Sequence, residues 1–320
     1  MRRKRFRVIL FLLALLILAS ALSQLIYGRS LRTTIYEWML RRRFATTQTP
    51  EAEQERLATR RTKKEKPYSL PKDISFTSTL DEKKCYGMQV FILNADADSG
   101  TDVLYLHGGA YINPFNAYQW RFMDRLATSA NCRVIAPAYH LAPYADYARA
   151  YADLTGLWLD LAAEGRRAIL MGDSAGGGLA LGLAEQLAQT GEPLPERLIL
   201  FSPWVDVSME NPDILKYVDA DPILHLEIVK VHGQCWANGA DTKFWQISPI
   251  YGDMAGLPPV TLYCGTRELL YPDIVLLSER LKAAGVETEL RAAQGLNHDY
   301  PLMPIPEAER AISEVIKMVQ

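Results

Sequence analysis

One serine of the sequence lies in a setting that favours nucleophilic chemistry. Ser174 belongs to the segment Gly172-Asp173-Ser174-Ala175-Gly176, which follows an apolar run and precedes a helical one. A serine on a tight strand-to-helix turn has a strained backbone, and the residues two positions away must lack side chains for the chain to pass. Glycine at both positions meets that need. A phosphate loop would require a Lys-Ser or Lys-Thr pair, which this segment lacks, so Ser174 is predicted as a nucleophile.

A serine is a weak nucleophile near neutral pH, so a base and an acid that orients it must accompany Ser174. Of the five histidines, His298 lies after the last predicted strand and before the last predicted helix. A general base belongs there when the chain order is serine, acid, histidine. The acid then lies between these two residues at a strand end. Glu268, which follows the β-rich run 260–264, is the predicted acid, with Asp273 as the alternative.

A second glycine-containing segment, His107-Gly108-Gly109-Ala110-Tyr111, predicts donors for a negatively charged oxygen. Consecutive glycines let backbone N–H groups turn toward a substrate, and a helix beginning near Ala175 points its positive end to the same place. The predicted oxyanion hole is therefore Gly108, Gly109 and Ala175. His107 is interpreted as a structural residue that fixes the loop.

Aromatic side chains near these segments are candidates for the walls of a substrate pocket. The predicted contacts are Tyr111, Trp204 and Tyr217, with Phe115 and Trp236 as further candidates. Each of them fits ordinary packing of the core or of a cap equally well.

These segments need a sheet to position them. From about residue 85, short β-rich runs alternate with longer helical runs, which predicts an α/β fold: a mainly parallel sheet with helices on both faces. The strand candidates are Gln89–Leu93, Val103–Leu106, Arg133–Ala136, Ala168–Met171, Leu198–Phe201, Val260–Cys264 and Glu287–Arg291. The helix candidates are Tyr118–Ser129, Ala145–Ala163, Gly177–Ala188, Pro272–Ala284 and Pro306–Val319. We therefore predict one catalytic domain over 85–320, with a helical cap inserted at about 211–238.

The N-terminal residues differ in kind from the rest. Five cationic residues within the first seven positions precede the apolar run Val8–Leu18, and no further charge occurs before Arg29. About 20 such residues can cross the ~30 Å core of a bilayer as a helix. We predict residues 1–28 as an anchor in the cell membrane with the catalytic domain outside, or as a signal segment removed on secretion. Residues 41–73 are polar, mixed in charge and contain Pro50, Pro67 and Pro71, so residues 29–84 are predicted as a stalk or linker.

Composition sets broad limits on function. Hydrophobic residues make up 49% of the 320 residues, which is enough for a large core. A net charge of -2 gives no global attraction to nucleic acid, so no nucleic-acid partner is expected. The four cysteines show no metal-binding or redox spacing and are interpreted as small buried hydrophobes, with one or two disulfide bridges as the alternative if the domain is exported.

Taken together, the motifs resemble the bacterial hormone-sensitive-lipase-like esterases of the α/β-hydrolase superfamily over roughly residues 100–320. The matching segments are His107-Gly108-Gly109, Tyr139-His140-Leu141-Ala142-Pro143, Gly172 to Gly177, Ser202-Pro203-Trp204-Val205-Asp206 and Gly295 to His298. The resemblance implies an α/β-hydrolase fold with a helical cap and a small-molecule ester of short or medium acyl chain as substrate. It also implies that no metal and no organic cofactor take part.

The sequence departs from the family pattern in three places. Ala110 stands where a third glycine is common, His140 and Tyr144 replace the usual Arg and Glu around Leu-Ala-Pro, and Glu268 stands at the usual aspartate position. Two other functions fit the same motifs: an amidase or deacetylase acting on a cell-envelope component, and a non-catalytic ligand-binding module. The presence of both the serine and the histidine favours an enzyme.

Overall fold

The computed structural model describes residues 2–45 and 49–320, which form a sheet flanked by helices. The strands are β1 (Leu80–Cys85), β2 (Met88–Leu93), β3 (Thr101–Leu106), β4 (Arg133–Ala138), β5 (Arg167–Asp173), β6 (Arg197–Phe201), β7 (Val260–Gly265) and β8 (Thr288–Ala293). The helices are α1 (Arg2–Tyr27), α2 (Leu31–Arg43), α3 (Pro50–Arg61), α4 (Ala117–Ser129), α5 (Tyr147–Ala163), α6 (Ser174–Thr190), α7 (Leu226–Ala237), α8 (Tyr271–Ala283) and α9 (Pro306–Val319). Short 3₁₀ helices cover Pro212–Lys216, Pro249–Tyr251 and Tyr300–Leu302.

The strands lie in the order β1-β2-β4-β3-β5-β6-β7-β8. Strands β3 to β8 run parallel to one another, whereas β2 pairs antiparallel with both β1 and β4. Strands β1 and β2 form a two-residue hairpin, in which Tyr86 and Gly87 both have positive φ, as the right-handed twist of a hairpin requires. Because the parallel strands end at one edge of the sheet, the loops that follow them meet there.

Both faces of the sheet are buried. In β3, Leu104 and Leu106 belong to one hydrophobic cluster, and Val103 and Tyr105 belong to the other. Every residue of β3 and of β7 is buried, which explains why these strands read as continuous runs rather than as alternating patterns.

The predicted α/β architecture is confirmed. Each predicted strand overlaps one of β2 to β8, and each predicted helix overlaps one of α4, α5, α6, α8 and α9. The predicted insertion at 211–238 contains the 3₁₀ helix Pro212–Lys216 and α7, and α3 packs against α7. The cap therefore combines the insertion with a helix from the N-terminal part of the chain.

The prediction of a stalk over 29–84 is wrong for the residues that the structure describes. Leu57 of α3 is buried in the main core, Tyr68 packs against Phe91 and Trp120, and β1 is a strand of the sheet. The catalytic domain consequently extends well before residue 85. Most of its described residues are exposed and charges occur throughout it, so its few anchoring side chains give no periodic pattern in the sequence. Residues 46–48, within the predicted stalk, and Met1, within the predicted anchor, lie outside the described residues.

Helix α1 carries a long exposed apolar surface. Among its described side chains, which begin at Phe11, the large apolar ones are exposed, up to 82% at Leu25, and Ser23 is buried. No single helix among the described residues is long and apolar enough to cross a membrane. The segments Phe11–Tyr27 and Leu31–Arg43 meet that test only together, with a bend of 73° between them.

Candidate active site

Ser174 is the first residue of α6 and follows directly on β5, at the carboxyl edge of the parallel strands. Its φ of 51° lies in the left-handed region, which residues with a Cβ rarely adopt. A Cβ at Gly172 would collide with the carbonyl of Gly176, and a Cβ at Gly176 would collide with the carbonyl of Leu106. The two glycines therefore permit the strained turn that places the serine hydroxyl at the sheet edge.

His298 lies in the loop after β8 and meets this hydroxyl. Its Nε2 is 3.0 Å from Ser174 Oγ, and both residues are buried. On the other side of the ring, Glu268 Oε2 lies 3.5 Å from His298 Nδ1. Asp273, the alternative acid, instead accepts a hydrogen bond from Asn211 Nδ2 at 2.7 Å. The structure thus brings Glu268, and not Asp273, to the imidazole.

Glu268 is held in a fully buried position by a bridging serine. The hydroxyl of Ser202 donates to Glu268 Oε2 at 2.7 Å and accepts from the amide of Asp299 at 2.9 Å. Burial raises the pKa of the Glu268 carboxyl above its ordinary value, although the contacts with His298 and Ser202 act against this. Ser202 therefore ties the loop that bears the acid to the loop that bears the histidine.

A second carboxyl acts on the same histidine. Asp299 Oδ2 lies 3.2 Å from His298 Nε2. Burial disfavours the charged imidazole, but the carboxyls of Asp299 and Glu268 outweigh it and raise the pKa of His298 to about 10. Burial also raises the pKa of Asp299. Since the two groups are in contact, the pKa of each depends on the charge of the other.

The amides near Ser174 differ from the predicted set. Gly108 was expected to be an oxyanion donor, but its N–H donates to Asp173 Oδ1 at 2.9 Å and is therefore not free. Within the part of the chain that the structure describes, no acceptor engages the amides of Gly109, Ala110 and Ala175. Gly109 and Ala110 have φ values of 132° and 55°, so the loop turns sharply at the point where these two N–H groups occur. Ala110, rather than Gly108, therefore presents an amide without an acceptor beside Gly109 among the described residues.

Comparisons with known proteins agree with this geometry. Residues 103–302 match a family model described as an α/β-hydrolase fold. LipR of Mycobacterium tuberculosis, a candidate acetyl-hydrolase, is 31% identical over 68% of this chain and 72% of its own. An acetyl-hydrolase of Streptomyces hygroscopicus is 29% identical over 67% and 73% of the two chains. The crystal structure of an esterase from the bacterial hormone-sensitive lipase family superposes with a TM-score of 0.77 at 27% identity, covering 91% of this chain and 98% of that one.

The chain belongs to the hormone-sensitive-lipase-like esterases of the α/β-hydrolase family. The resemblance drawn from the sequence motifs is confirmed, and with it the class of enzyme, a carboxylic ester hydrolase.

In this α/β hydrolase, Asp173 braces the loop that contains Gly108 and Gly109. Besides the amide of Gly108, its carboxylate accepts hydrogen bonds from Tyr105 Oη at 2.5 Å and from Gln119 Nε2 at 2.7 Å. Burial raises the pKa of Asp173, which these donors counteract. Sequence reasoning missed this role, although an aspartate directly before the nucleophile was the available signal. Reaching Gly108 requires the fold, because β3 and β5 are adjacent only in the sheet.

His107 has the structural role expected for it. Its ring stacks on Tyr139 with centroids 4.4 Å apart, and its Nδ1 contacts the Gly108 carbonyl at 2.7 Å. Burial lowers the pKa of His107 to about 4, so the ring is neutral at physiological pH. A neutral ring can donate from Nδ1 to the carbonyl and so hold the loop.

Two of the three predicted substrate contacts are packing residues in this esterase. Tyr111 lies between Trp204 and Trp236, with ring centroids 5.6 Å and 4.2 Å away. Tyr111 and Trp204 are each only 1% exposed, so neither presents its ring to a ligand in this structure. Tyr217 lies in the cap, half-buried against Tyr271 with centroids 5.6 Å apart, and its contact with substrate stays a prediction.

Proposed function

We propose that the chain hydrolyses short- to medium-chain acyl esters through a triad of Ser174, His298 and Glu268. The observation that carries this proposal is the 3.0 Å contact between Ser174 Oγ and His298 Nε2, with the Glu268 carboxyl on the opposite ring nitrogen. Such an order of nucleophile, base and orienting acid is what acyl transfer by a serine needs.

In the proposed reaction, His298 takes the proton of Ser174 while the serine oxygen attacks the ester carbonyl carbon. The carbonyl oxygen becomes an oxyanion and accepts hydrogen bonds from the amides of Gly109, Ala110 and Ala175. His298 then gives its proton to the leaving alcohol, and an acyl-enzyme remains. Water, deprotonated by His298, attacks the acyl carbon and releases the carboxylic acid. Throughout, Glu268 stabilises the imidazolium.

Two lines of support favour short acyl groups. Both curated relatives described above carry acetyl-hydrolase names. In addition, Tyr111, Trp204 and Trp236 form a stack of buried rings, and Tyr111 and Trp204 lie against Gly178, one helical turn after Ser174. A short acyl group needs little displacement of this stack. We therefore expect kcat/KM to fall as the acyl chain lengthens beyond medium length.

Replacing Ser174 by Ala tests the nucleophile. Hydrolysis of p-nitrophenyl acetate should fall by a factor on the order of 10⁶, the scale seen when a serine nucleophile is removed. Ser313→Ala is the matched control, because this serine is exposed and donates only to the carbonyl of Glu309. Circular dichroism should show both variants folded. Retained turnover in Ser174→Ala would refute the assignment.

The contact of His298 with Ser174 disfavours a non-catalytic ligand-binding module, which would not need a base there. The amidase or deacetylase alternative uses the same triad and differs only in the leaving group. Comparing turnover of an acetyl ester with that of the matching acetamide separates the two. We expect the ester to be strongly preferred.

We further propose that α1 anchors the protein in the cell membrane with the catalytic domain outside. The support is the cationic N-terminus, the apolar run from Val8 and the exposed apolar side chains of α1 from Phe11 to Tyr27. Labelling intact cells with an impermeant fluorophosphonate and then fractionating them tests this. A labelled full-length protein in the membrane pellet is expected. A labelled, shortened protein in the medium would instead show secretion after signal cleavage.

A further inference from the structure

Helix α2 exposes large apolar side chains that an ordinary surface helix would bury. Its inward face buries Leu40 together with the polar Thr33 and Glu37, whereas its outward face exposes Ile35, Trp38 and Met39 at 52%, 53% and 47%. A helix in water normally buries its apolar stripe and exposes its polar one. The outward face of α2 therefore leaves apolar side chains exposed in the part of the chain that the structure describes.

This orientation is fixed by a buried ionic cluster, so the helix cannot simply turn its apolar side inward. Glu37 pairs with Arg29, with Arg41 at 2.8 Å and with Arg267 at 3.3 Å. Burial alone would raise the pKa of Glu37, but the charges of Arg29 and Arg267 and the bond from Arg41 lower it overall. The carboxylate is thus charged and held, and it keeps the inward face of α2 against the hydrolase body.

The same cluster joins α2 to the catalytic loops. Arg29 Nη1 donates to the carbonyl of Gly295 at 2.7 Å, at the start of the loop that carries His298. Arg267 directly precedes Glu268 in the chain. The position of α2 relative to the triad is therefore set by short contacts rather than by a flexible tether.

The charges around the apolar face are cationic. Arg32, Arg42 and Arg43 are exposed, and the guanidinium of Arg42 lies 3.8 Å from the centroid of the Trp38 ring. The only acid of α2, Glu37, is buried. A second copy of the chain on this face would bring like charges together in a symmetric contact. An anionic lipid surface would instead receive the apolar residues in its interface and the arginines at its headgroups.

We propose that the outward face of α2 binds the surface of an anionic phospholipid bilayer. This face is formed by Ile35, Trp38 and Met39 with the flanking arginines. The inference rests on the proposed anchoring by α1, whose exposed apolar surface runs on to Leu25 and Ile26 next to α2. Because α2 is connected to the loops of Glu268 and His298 by the contacts of Arg29 and Arg267, its binding to the bilayer holds the esterase site at a fixed height above the membrane. Esters dissolved in the lipid phase are then the substrates closest to the site.

Tryptophan fluorescence in vesicles tests the proposal, since Trp38 is the most exposed of the tryptophans. Four of the other five are buried and Trp245 is half-buried. The full-length protein is reconstituted into vesicles of phosphatidylcholine and phosphatidylglycerol whose acyl chains carry bromine near the headgroup. We expect bromine to quench part of the fluorescence, and we expect that quenching to be lost in Trp38→Phe and retained in the matched variant Trp245→Phe.

The possible outcomes distinguish failure of the α2 contact from failure of the α1 anchor. Protein that floats with the vesicles but shows no quenching, or quenching that persists in Trp38→Phe, would overturn the α2 contact and leave the anchor intact. Protein that does not float with the vesicles would overturn the anchor and the α2 contact together. Hydrolysis of p-nitrophenyl acetate, measured on the same samples, reports on the triad independently, because Trp38 lies outside the catalytic machinery.

Discussion

The nucleophile turn and the N-terminal segment of this esterase differ in how their structure is encoded. At the turn, Gly172 lies against the carbonyl of Gly176 and Ser174 has a positive φ, so this part of the constraint acts over a few residues and is visible in the sequence. In the N-terminal segment, Arg29 finds its acceptor at Gly295, 266 residues away. Steric constraints between residues close in the chain produce a recognisable local sequence pattern. A buried charge whose partners are distant in the chain produces none.

Among the variants considered below, Glu268→Gln is expected to lower kcat the most. An amide cannot stabilise the imidazolium or hold the correct tautomer of His298, so kcat should fall by a factor on the order of 10⁴. Asp273→Asn is the control and should leave kcat nearly unchanged, since Asp273 binds Asn211 rather than the histidine. Steady-state kinetics with p-nitrophenyl acetate distinguish the two carboxyls. Equal losses in both variants would remove Glu268 from the triad.

Glu37→Gln probes the N-terminal segment in the same way. Removing this charge leaves Arg29 buried with only neutral partners, which should lower the free energy of unfolding by about 3 kcal/mol. Glu227→Gln, in the exposed pair with Lys230, should cost less than about 0.5 kcal/mol. Denaturant unfolding in detergent measures both. A segment that were only a stalk would show no difference between them.

Asp173→Ala tests whether the brace beside the serine matters for catalysis. Without the carboxylate, the amide of Gly108 and the side chain of Gln119 lose their acceptor, and the loop bearing Gly109 and Ala110 loosens. We expect kcat to fall by about 10²-fold, the effect of losing one oxyanion donor, with KM little changed. The exposed Asp160 offers an aspartate-to-alanine control. An unchanged kcat would show that the loop holds its shape without the brace.

Asp299→Asn should shift the pH profile. The Asp299 carboxyl raises the pKa of His298, and the imidazole must be neutral to act as a base. Activity in the wild type is therefore lost as the pH falls through this raised pKa. Replacing the carboxyl by an amide lowers the pKa, so the acidic limb of kcat/KM should move to lower pH by about one to three units. A limb that stays in place would show that Glu268 alone sets the pKa.

The sequence predicted the α/β architecture, and it predicted that Ser174, His298 and Glu268 lie close together. Both predictions were possible because glycine spacing, apolar runs and chain order can be read directly from the sequence. It misjudged Gly108, whose amide is used by Asp173, since the pairing of β3 with β5 is not written in either segment alone. It also failed to predict that α3 and β1 belong to the catalytic domain, because in both elements exposed charged residues outnumber the residues that pack against the domain.

Peptide mapping after reaction with a fluorophosphonate tests the central claim, that the hydroxyl at 174 is activated by the imidazole at 298. We expect a single adduct on Ser174, formed far more slowly in His298→Ala. An adduct on another serine, or labelling of Ser174 at the same rate without the imidazole, would contradict it.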